Sequence, residues 1–225
     1  MIFFLSRATA DKKASGLAVG ESVWLMENGE LTEYFVVQQG NPDRSVYTDS
    51  NVDGTWLMRK DVPDSSLVWP VWGSSYTKLA SDLISYCESG NYLEWFPADV
   101  QDAMRTVVIS RFNEGTKVFF PSINEVGVAN STDESLYATG SRLEYFKEDT
   151  NESRLALRNG TATEYFLRDW HATTIQGTTT SFYFIVDTSG EIVKMTNVLG
   201  GYGLRPMMIL DPETKFSNHN EFVGL

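Results

Sequence analysis

The segment Asp49-Ser-Asn51-Val-Asp53-Gly54 carries oxygen-bearing side chains at alternate positions. It matches the first half of a calcium-binding EF loop, in which such oxygens converge on the ion and a glycine makes a sharp turn. The twelfth position of that loop needs a bidentate glutamate, and here it is Lys60. The missing glutamate favours an Asx-rich turn between strands. If the segment did bind calcium, Asp49, Asn51 and Asp53 would be the ligands. We favour the turn, and we expect no metal or other cofactor.

The chain has two histidines, His171 and His219, and neither belongs to a recognisable zinc-ligand pattern. The run Asp169-Trp170-His171 can present a polar and aromatic contact surface, because such residues anchor interfaces. The competing interpretation, a loop histidine beside a half-buried tryptophan, is favoured.

Nucleophilic and acid–base chemistry finds little support in the sequence. Cys87, the single cysteine, lies on the apolar face of a predicted helix, where a thiol is usually inert. The chain has no G-x-S-x-G elbow, Walker A loop or G-x-G-x-x-G motif. Gly200-Gly201-Tyr-Gly203 lacks the lysine and the helix of a phosphate loop, and no spacing singles out a catalytic pair of carboxylates. We therefore predict that the protein is not an enzyme.

The charge and composition of the chain argue against some classes of partner. The 225-residue chain has a formal net charge of -12 and a pI of about 4.6. A phosphate backbone would be repelled, and Arg7, Lys12 and Lys13 are the nearest approach to a basic cluster. No apolar run approaches the roughly 20 residues of a membrane span, and the apolar run at 1–5 is too short for a signal peptide. We expect no nucleic-acid partner, no membrane insertion and synthesis in the cytoplasm.

Hydrophobic periodicity predicts a β-rich chain. Strand-like runs at 21–27 and 31–38 flank Asn28-Gly29, the strongest short hairpin signal. Asp187-Thr-Ser-Gly190 predicts a second hairpin turn. Further strands are predicted at 55–60, 107–112, 117–120, 164–167, 181–186 and 192–195.

Two helices are predicted, and both fall within about residues 76–104. The first places Tyr76, Leu79, Leu83 and Cys87 on one face and ends at Gly90. The second opens at proline 97, which suits the first helical position, and runs to residue 103. Helices segregated inside a β chain indicate an α+β fold and not alternating βαβ units.

Four segments of the C-terminal half occur in an order that resembles one known family. They resemble its K-[IV]-F-L-x-S-x-x-E-V-G segment, its R-[IL]-A…W-W-L-R-[ST] segment, its V-x-x-x-G-x-[IL] hairpin and its closing G-[VI]-R-P-A-[LF]-x-L strand. The segments are 117–127, 154–170, 182–192 and 203–210, with looser counterparts at 36–42, 53–61 and 93–96. The family is an uncharacterised domain of Gram-positive gut bacteria and their phages. It is similar in pattern to the C-type-lectin-like domains of formylglycine-generating enzymes and phage tropism determinants.

The resemblance covers about residues 16–210 and implies a C-type-lectin-like fold, with small twisted antiparallel sheets and two helices near 76–104. On this basis we expect an N-terminal arm at 1–15, a domain at 16–212 and a C-terminal tail at 213–225.

The same resemblance implies structural roles for particular residues. The closing G-x-R-P strand would be central, and Arg205 would be a buried or stacked guanidinium satisfied by backbone carbonyls. Pro206 and Trp56 are assigned structural roles with it.

The chain also departs from its relatives in this fold. Calcium-dependent lectins use Glu-Pro-Asn or Gln-Pro-Asp together with Trp-Asn-Asp, and none of these strings occurs here. Formylglycine-generating enzymes need a paired-cysteine copper site, which Cys87 alone cannot supply. The resemblance therefore implies neither calcium-mediated sugar binding nor that enzymatic activity.

The leading hypothesis is a phage virion surface protein, a binding module displayed on a tail, fibre or head and in contact with the host surface. Its expected partners are other virion proteins, a host surface protein or glycan, and further copies of itself, a trimer by analogy. The alternatives are a capsid decoration protein without a receptor role, a carbohydrate-active enzyme and a bacterial surface adhesin. By analogy with tropism proteins, the contact residues are expected to be Asp169, Trp170, His171, Thr179, Tyr183 and Tyr202.

Overall fold

The structure is a computed structural model that describes residues 10–63, 92–109, 115–127, 140–175, 178–195 and 202–225. The predicted helix at 76–90, Cys87 and part of the predicted strand at 107–112 lie outside these residues. None of the helices in the described ranges has the length and apolar character needed to cross a membrane.

Strands dominate the described chain, and its helices are one or two turns long. The α-helices are α1 (Ala98–Ala103), α2 (Ile123–Val126) and α3 (Asn151–Arg154). The strands are β1 (Ala10–Lys13), β2 (Ser22–Glu27), β3 (Glu30–Gln39), β4 (Thr55–Arg59), β5 (Val118–Phe119), β6 (Leu157–Arg158), β7 (Thr161–Ala162), β8 (Tyr165–Ile175), β9 (Thr178–Val186), β10 (Ile192–Met195), β11 (Met207–Leu210), β12 (Lys215–Ser217) and β13 (Phe222–Gly224).

The β2–β3 hairpin forms where the Asn-Gly signal predicts it. Asn28 and Gly29 have φ values of 51° and 83°, the left-handed pair that a type I′ turn requires. Burial alternates along β2, so that Val23 and Leu25 face the core whereas Met26 is exposed. This period of two fixes the register of the sheet edge.

The hairpin is the edge of a five-stranded antiparallel sheet with the order β2-β3-β4-β11-β5. The closing strand β11 lies between β4 and β5, and all four of its residues are buried. The G-x-R-P segment therefore leads into an interior strand. Trp56 is buried in β4, and its indole Nε1 donates to the carbonyl of Val52 over 2.8 Å.

Apolar layers bury both faces of this central sheet. Alternate residues of β4 and β11 enter opposite layers, because successive side chains of a strand point to opposite faces. One layer includes Val23, Leu25, Val36, Leu57, Met208, Phe166 and Ile185; the other includes Phe35, Trp56, Met58, Met207, Ile209, Phe119 and Phe184.

A second antiparallel sheet, with the order β10-β9-β8, supplies residues to both layers. The turn at 187–190 joins β9 to β10, as predicted, and the Gly190 N–H donates to the carbonyl of Asp187 over 3.0 Å. Strand β8 is longer than the predicted strand at 164–167, because it continues to Ile175.

The two ends of the described chain are part of the packed domain, which corrects the boundaries drawn from the sequence. Strand β1 pairs with β12, and β12 pairs with β13, so residues 10–13 and 215–224 form one three-stranded sheet. Ala14 and Phe216 are completely buried in the core. Residues 10–15 are thus not a free arm, and residues 213–225 are not a free tail. The polar residues around these short strands conceal their pairing.

The prediction that helices are confined to 76–104 is also wrong. Helix α1 lies where the second helix is predicted, with Pro97 at its N-cap. Helices α2 and α3 lie outside that range, and each has a side-chain cap, from Ser122 and Thr150 respectively. One-turn helices leave too short a periodic pattern to be recognised. Antiparallel sheets with a few short helices remain compatible with an α+β class.

Candidate functional site

The predicted calcium segment is a turn whose side chains bind protein groups. Asp49 caps a short 3-10 helix by accepting from the Asn51 N–H over 2.9 Å, and its other oxygen accepts from the Val108 N–H over 2.9 Å. Asp53 accepts from Arg44 over 2.9 Å. Asn51 donates to the carbonyl of Thr106 over 3.0 Å. The three side chains are thus engaged with protein groups, and within the described residues no group of three or more His, Cys, Asp or Glu could hold a metal ion.

Two of the predicted contact residues are buried and do not lie on the surface. Asp169 is 1% exposed, and its carboxylate accepts from the Ile123 N–H over 2.6 Å, at the start of α2. Tyr183 is 4% exposed and packs within the core. As contact residues these two assignments are wrong, because burial removes both side chains from a partner's reach. Both residues were predicted by analogy with tropism proteins.

Tyr202 is partly buried, and its ring packs against Phe166 with a centroid distance of 5.0 Å. Burial and the nearby Glu164 carboxylate raise the pKa of its hydroxyl. His219 is exposed, in the turn before β13, and its N–H donates to Ser217 over 3.2 Å.

The remaining predicted residues, Trp170, His171 and Thr179, lie together on the β8–β9 hairpin. Trp170 pairs with Tyr183, His171 with Phe182, and Thr174 with Thr179. We call residues 170–175 and 178–182 the outer hairpin. The structure therefore brings these three predicted residues onto one element, although Thr179 lies eight residues after His171 in the sequence.

The outer hairpin continues past the described end of β10. The described residues of β10 pair with β9 along residues 183–186, and β8 and β9 stay paired for five further register pairs, to Ile175 and Thr178. At about 3.4 Å per residue, these pairs span roughly 17 Å. The sequence of 170–182 contains no Asp, Glu, Lys or Arg, in a chain of which 21% is charged. The hairpin is thus a neutral ribbon on an acidic protein.

A bulge sets the direction of this ribbon. Phe166 pairs with Ile185 and Trp170 with Tyr183, so β8 has two more residues than β9 across this interval. Such irregularities redirect side chains. Here they allow the consecutive residues Arg168 and Asp169 both to contact α2.

A buried ionic network anchors the bulge. Arg168 donates to both carboxylate oxygens of Glu125 over 2.5 Å, and it also donates to the carbonyl of Phe120 over 2.7 Å. Burial opposes the charge of Arg168, but the Glu125 carboxylate outweighs burial and raises the pKa of the guanidinium. Burial, together with the charge of Glu125, raises the pKa of the Tyr47 hydroxyl, which stays protonated and donates to Glu125 over 2.5 Å.

Arg205 is a second buried arginine whose contacts join several elements of the fold. It is 2% exposed, and it donates to the carbonyls of Arg59 and Arg154 over 2.9 and 3.0 Å. Its guanidinium lies 5.3 Å from the ring centroid of Phe35 and 5.2 Å from that of Tyr165. Pro206, which follows it, is buried, and its carbonyl accepts from the Arg59 N–H over 2.9 Å. These contacts lock β11 to β3, β4 and β8.

The sequence analysis missed a third network, around Glu27. Tyr34 donates to this buried carboxylate, and Arg59 Nε donates to its two oxygens over 3.1 and 3.2 Å. Burial, above all, raises the pKa values of Tyr34 and Tyr92, whose hydroxyl oxygens lie 3.4 Å apart. A signal existed, because Val23, Leu25 and Glu27 alternate along β2 and Glu27 therefore faces inward.

The buried carboxylates Glu27, Glu125 and Asp169 all accept hydrogen bonds from the protein itself. Groups held in this way fix the positions of strands and short helices. The geometry thus anchors the base of the neutral outer hairpin.

Fold and site define a class: a domain of antiparallel sheets with few helices, held by internal ionic networks and bearing a long uncharged hairpin. The chain belongs to the family described as Domain of unknown function (DUF6273), which matches residues 53–212. No curated protein and no solved structure matches the chain. The matched range contains the outer hairpin, Glu125, Arg168 and Arg205. Strands β1 to β3, β12 and β13 lie outside it.

Proposed function

We propose that the protein is a binding module without catalytic activity, displayed on the surface of a phage particle, and that the outer hairpin contacts the host. The observation that carries the proposal is an uncharged, threonine-rich hairpin that stays paired to Ile175 and Thr178, on a chain with a net charge of -12. We further propose that the domain has a C-type-lectin-like fold, as its motifs suggest.

The anchoring of the ribbon supports a binding role. Arg168 and Asp169 stand at its base and hold α2 through a bidentate ion pair and a helix cap. A contact surface that is rigid before binding loses less conformational entropy when the partner arrives. The networks at the base of the hairpin thus hold it in position before a partner binds.

The composition of the ribbon supports an uncharged partner surface, such as a glycan or a neutral patch of a host protein. Trp170 and His171 belong to the residue types that anchor interfaces, and the threonines supply hydroxyl groups for hydrogen bonds. Because the whole chain carries a charge of -12, contact through a neutral segment reduces repulsion from acidic surfaces.

Mass spectrometry of purified particles tests the location. We expect peptides of this chain in virions that remain intact after density-gradient purification. If the chain occurs only in the lysate of producing cells, it is not a virion protein and the proposal is wrong.

Adsorption measurements test the role of the hairpin. A Trp170→Ala, His171→Ala, Thr179→Ala variant should reduce binding of the full-length protein to host cells by at least about tenfold, which corresponds to about 1.4 kcal/mol. The control replaces the exposed residues Val108 and Thr161 with alanine and should bind normally. Thermal unfolding verifies that both variants fold. Unchanged adsorption with particles that fall apart would instead identify a decoration protein.

A further inference from the structure

Apart from the outer hairpin, the surface carries a stripe of exposed apolar side chains, which come from the two ends of the chain. Within the described ranges, seven large apolar side chains are exposed. Four of them belong to the neighbouring strands β2, β3 and β13 or follow directly after β13. They are Met26, Leu31, Val223 and Leu225, with exposed fractions of 37%, 52%, 43% and 54%.

Strand pairing brings these residues to one face. Met26 and Leu31 are directly opposite each other across the β2–β3 hairpin. Trp24 forms a parallel bridge with Glu221, so the residues two positions on, Met26 and Val223, come level on the same side. Leu225, two residues further along the chain, is also exposed. We call Met26, Leu31, Val223 and Leu225 the β13–β2–β3 stripe.

The inward face of these strands is already packed. Val23 and Leu25 are completely buried, and Phe222 packs against Phe216 with a centroid distance of 6.3 Å. The stripe is therefore the outward face, and it does not contribute to the core. Adjacent exposed apolar residues on a folded domain mark a docking surface more often than scattered ones do.

The surroundings of the stripe specify the charge of its occupant. Glu30 precedes Leu31, Glu221 bridges to Trp24, and Glu94 lies in the 3-10 helix whose Trp95 carbonyl accepts from the Asn28 N–H over 2.6 Å. All three carboxylates are exposed, and in the described part of the chain none forms an ion pair. Lys215 donates to the Leu225 carbonyl over 2.7 Å, and with this one cation the surroundings of the stripe stay net acidic. A second copy of the chain would bring like charges together across a two-fold axis, which is unfavourable.

We propose that the stripe docks another protein through a segment that carries apolar side chains flanked by lysine or arginine. This interface uses none of the residues of the outer hairpin, and its strands belong to other sheets than β8 and β9. It does not depend on the proposed host contact, and either proposal can fail alone. On a particle, it would attach the domain while the hairpin stays free.

The test uses the full-length chain and two synthetic peptides of equal length, one alternating leucine with lysine and one alternating leucine with glutamate. Fluorescence anisotropy should detect binding of the lysine peptide alone, and higher salt should weaken it. The variant Met26→Ser, Leu31→Ser, Val223→Ser should raise the Kd at least about tenfold.

The matched control is Val46→Ser, Val108→Ser, Leu157→Ser, which truncates the three exposed apolar residues outside the stripe. Its Kd should stay within about twofold of the parent value, and neither triple variant alters the net charge. Thermal unfolding verifies that both fold. Equal weakening in both variants would show non-specific attraction and overturn the proposal. So would a wild-type dimer in sedimentation that only the stripe variant dissociates, because the occupant would then be a second copy.

Discussion

Arg168 and Glu125 meet through two parallel hydrogen bonds of 2.5 Å, and both side chains are buried. Arg168 lies in the bulge of β8, and Glu125 lies in α2. Glu125 also completes a capping box with Ser122, because each side chain binds the other's backbone N–H. One carboxylate therefore starts a helix, accepts a hydrogen bond from Tyr47 and fixes the base of the outer hairpin.

Breaking this pair should destabilise the domain strongly. Glu125→Gln leaves the buried guanidinium without its counter-charge, and the expected loss is about 3–5 kcal/mol in the free energy of unfolding by urea. The exposed pair between Lys13 and Glu213 has a similar N–O distance of 2.6 Å. Glu213→Gln should lower stability by no more than about 1 kcal/mol, because solvent screens exposed pairs. Similar losses in both variants would show that burial does not govern the pair.

A substitution at Asp169 separates a structural role from a contact role. Asp169→Ala removes the acceptor for the Ile123 N–H and should cost about 1 kcal/mol of stability, the usual value of a helix cap. Asp169→Asn keeps an acceptor oxygen and should recover most of that loss. Both can be measured by urea unfolding. If asparagine destabilises as much as alanine, charge matters at this position and not capping.

Arg205 should not tolerate lysine. Its planar guanidinium donates to two carbonyls and lies between two rings, whereas an ammonium group cannot reproduce both contacts. Arg205→Lys should therefore lower the free energy of unfolding by about 2 kcal/mol or more. Arg44→Lys, at an exposed ion pair with Asp53, is the matched control and should have little effect. A tolerated lysine at 205 would mean that charge alone suffices.

Local signals in the sequence predicted the elements that depend on local chemistry. Asn28-Gly29 and 187–190 specify turns by themselves, and the strands beside them follow from alternation. The pairing of β1 with β12 could not be predicted, because it joins short polar strands about 200 residues apart. Long-range pairing of this kind is specified by the whole core and not by either strand.

Only some features of the candidate site can be seen in the sequence, and the reason is again that long-range pairing places the others. Trp170 and His171 stand out by residue type, and the structure places both on the outer hairpin. Asp169, their neighbour, was misplaced because the bulge in β8 interrupts the alternation from which its orientation would be inferred. The β13–β2–β3 stripe was not predicted, because Val223 comes beside Met26 only through the bridge between Trp24 and Glu221.

Asp187 should contribute to the loss of stability that the protein undergoes at acidic pH. Burial acts to raise its pKa, but hydrogen bonds from Ser189 and from the Glu191 and Gly190 backbone outweigh burial, so its pKa lies below the ordinary 3.8. A carboxylate with a lowered folded-state pKa stabilises the protein above its unfolded pKa, and this stabilisation is lost as pH falls through the folded value.

The Asp187→Asn variant tests this dependence. Its unfolding free energy should fall less steeply than that of the parent as pH is lowered below about 4, because asparagine does not titrate. The measurement is urea unfolding at closely spaced pH values. If the unfolding free energies of the two proteins fall in parallel as the pH is lowered, Asp187 makes no contribution to the loss of stability at acidic pH.

Two glycines with almost the same backbone conformation should respond very differently to alanine. Gly29 and Gly190 have φ values of +83° and +84°, so both substitutions carry the same left-handed strain of about 1–2 kcal/mol. A Cβ at Gly29 would meet nothing within 4 Å, whereas at Gly190 it would lie 2.1 Å from the carbonyl oxygen of Asn151. That oxygen is backbone at the start of α3 and cannot rotate away.

Gly190→Ala should therefore destabilise the protein by about 1–3 kcal/mol more than Gly29→Ala, the range typical of overpacking. The turn would be displaced from α3, and the bond from Arg154 Nε to the Gly190 carbonyl, 2.8 Å long, would be disrupted. Urea unfolding of the two variants gives the difference directly, because the shared strain cancels. Equal losses would show that the β9–β10 turn does not pack against α3 in solution.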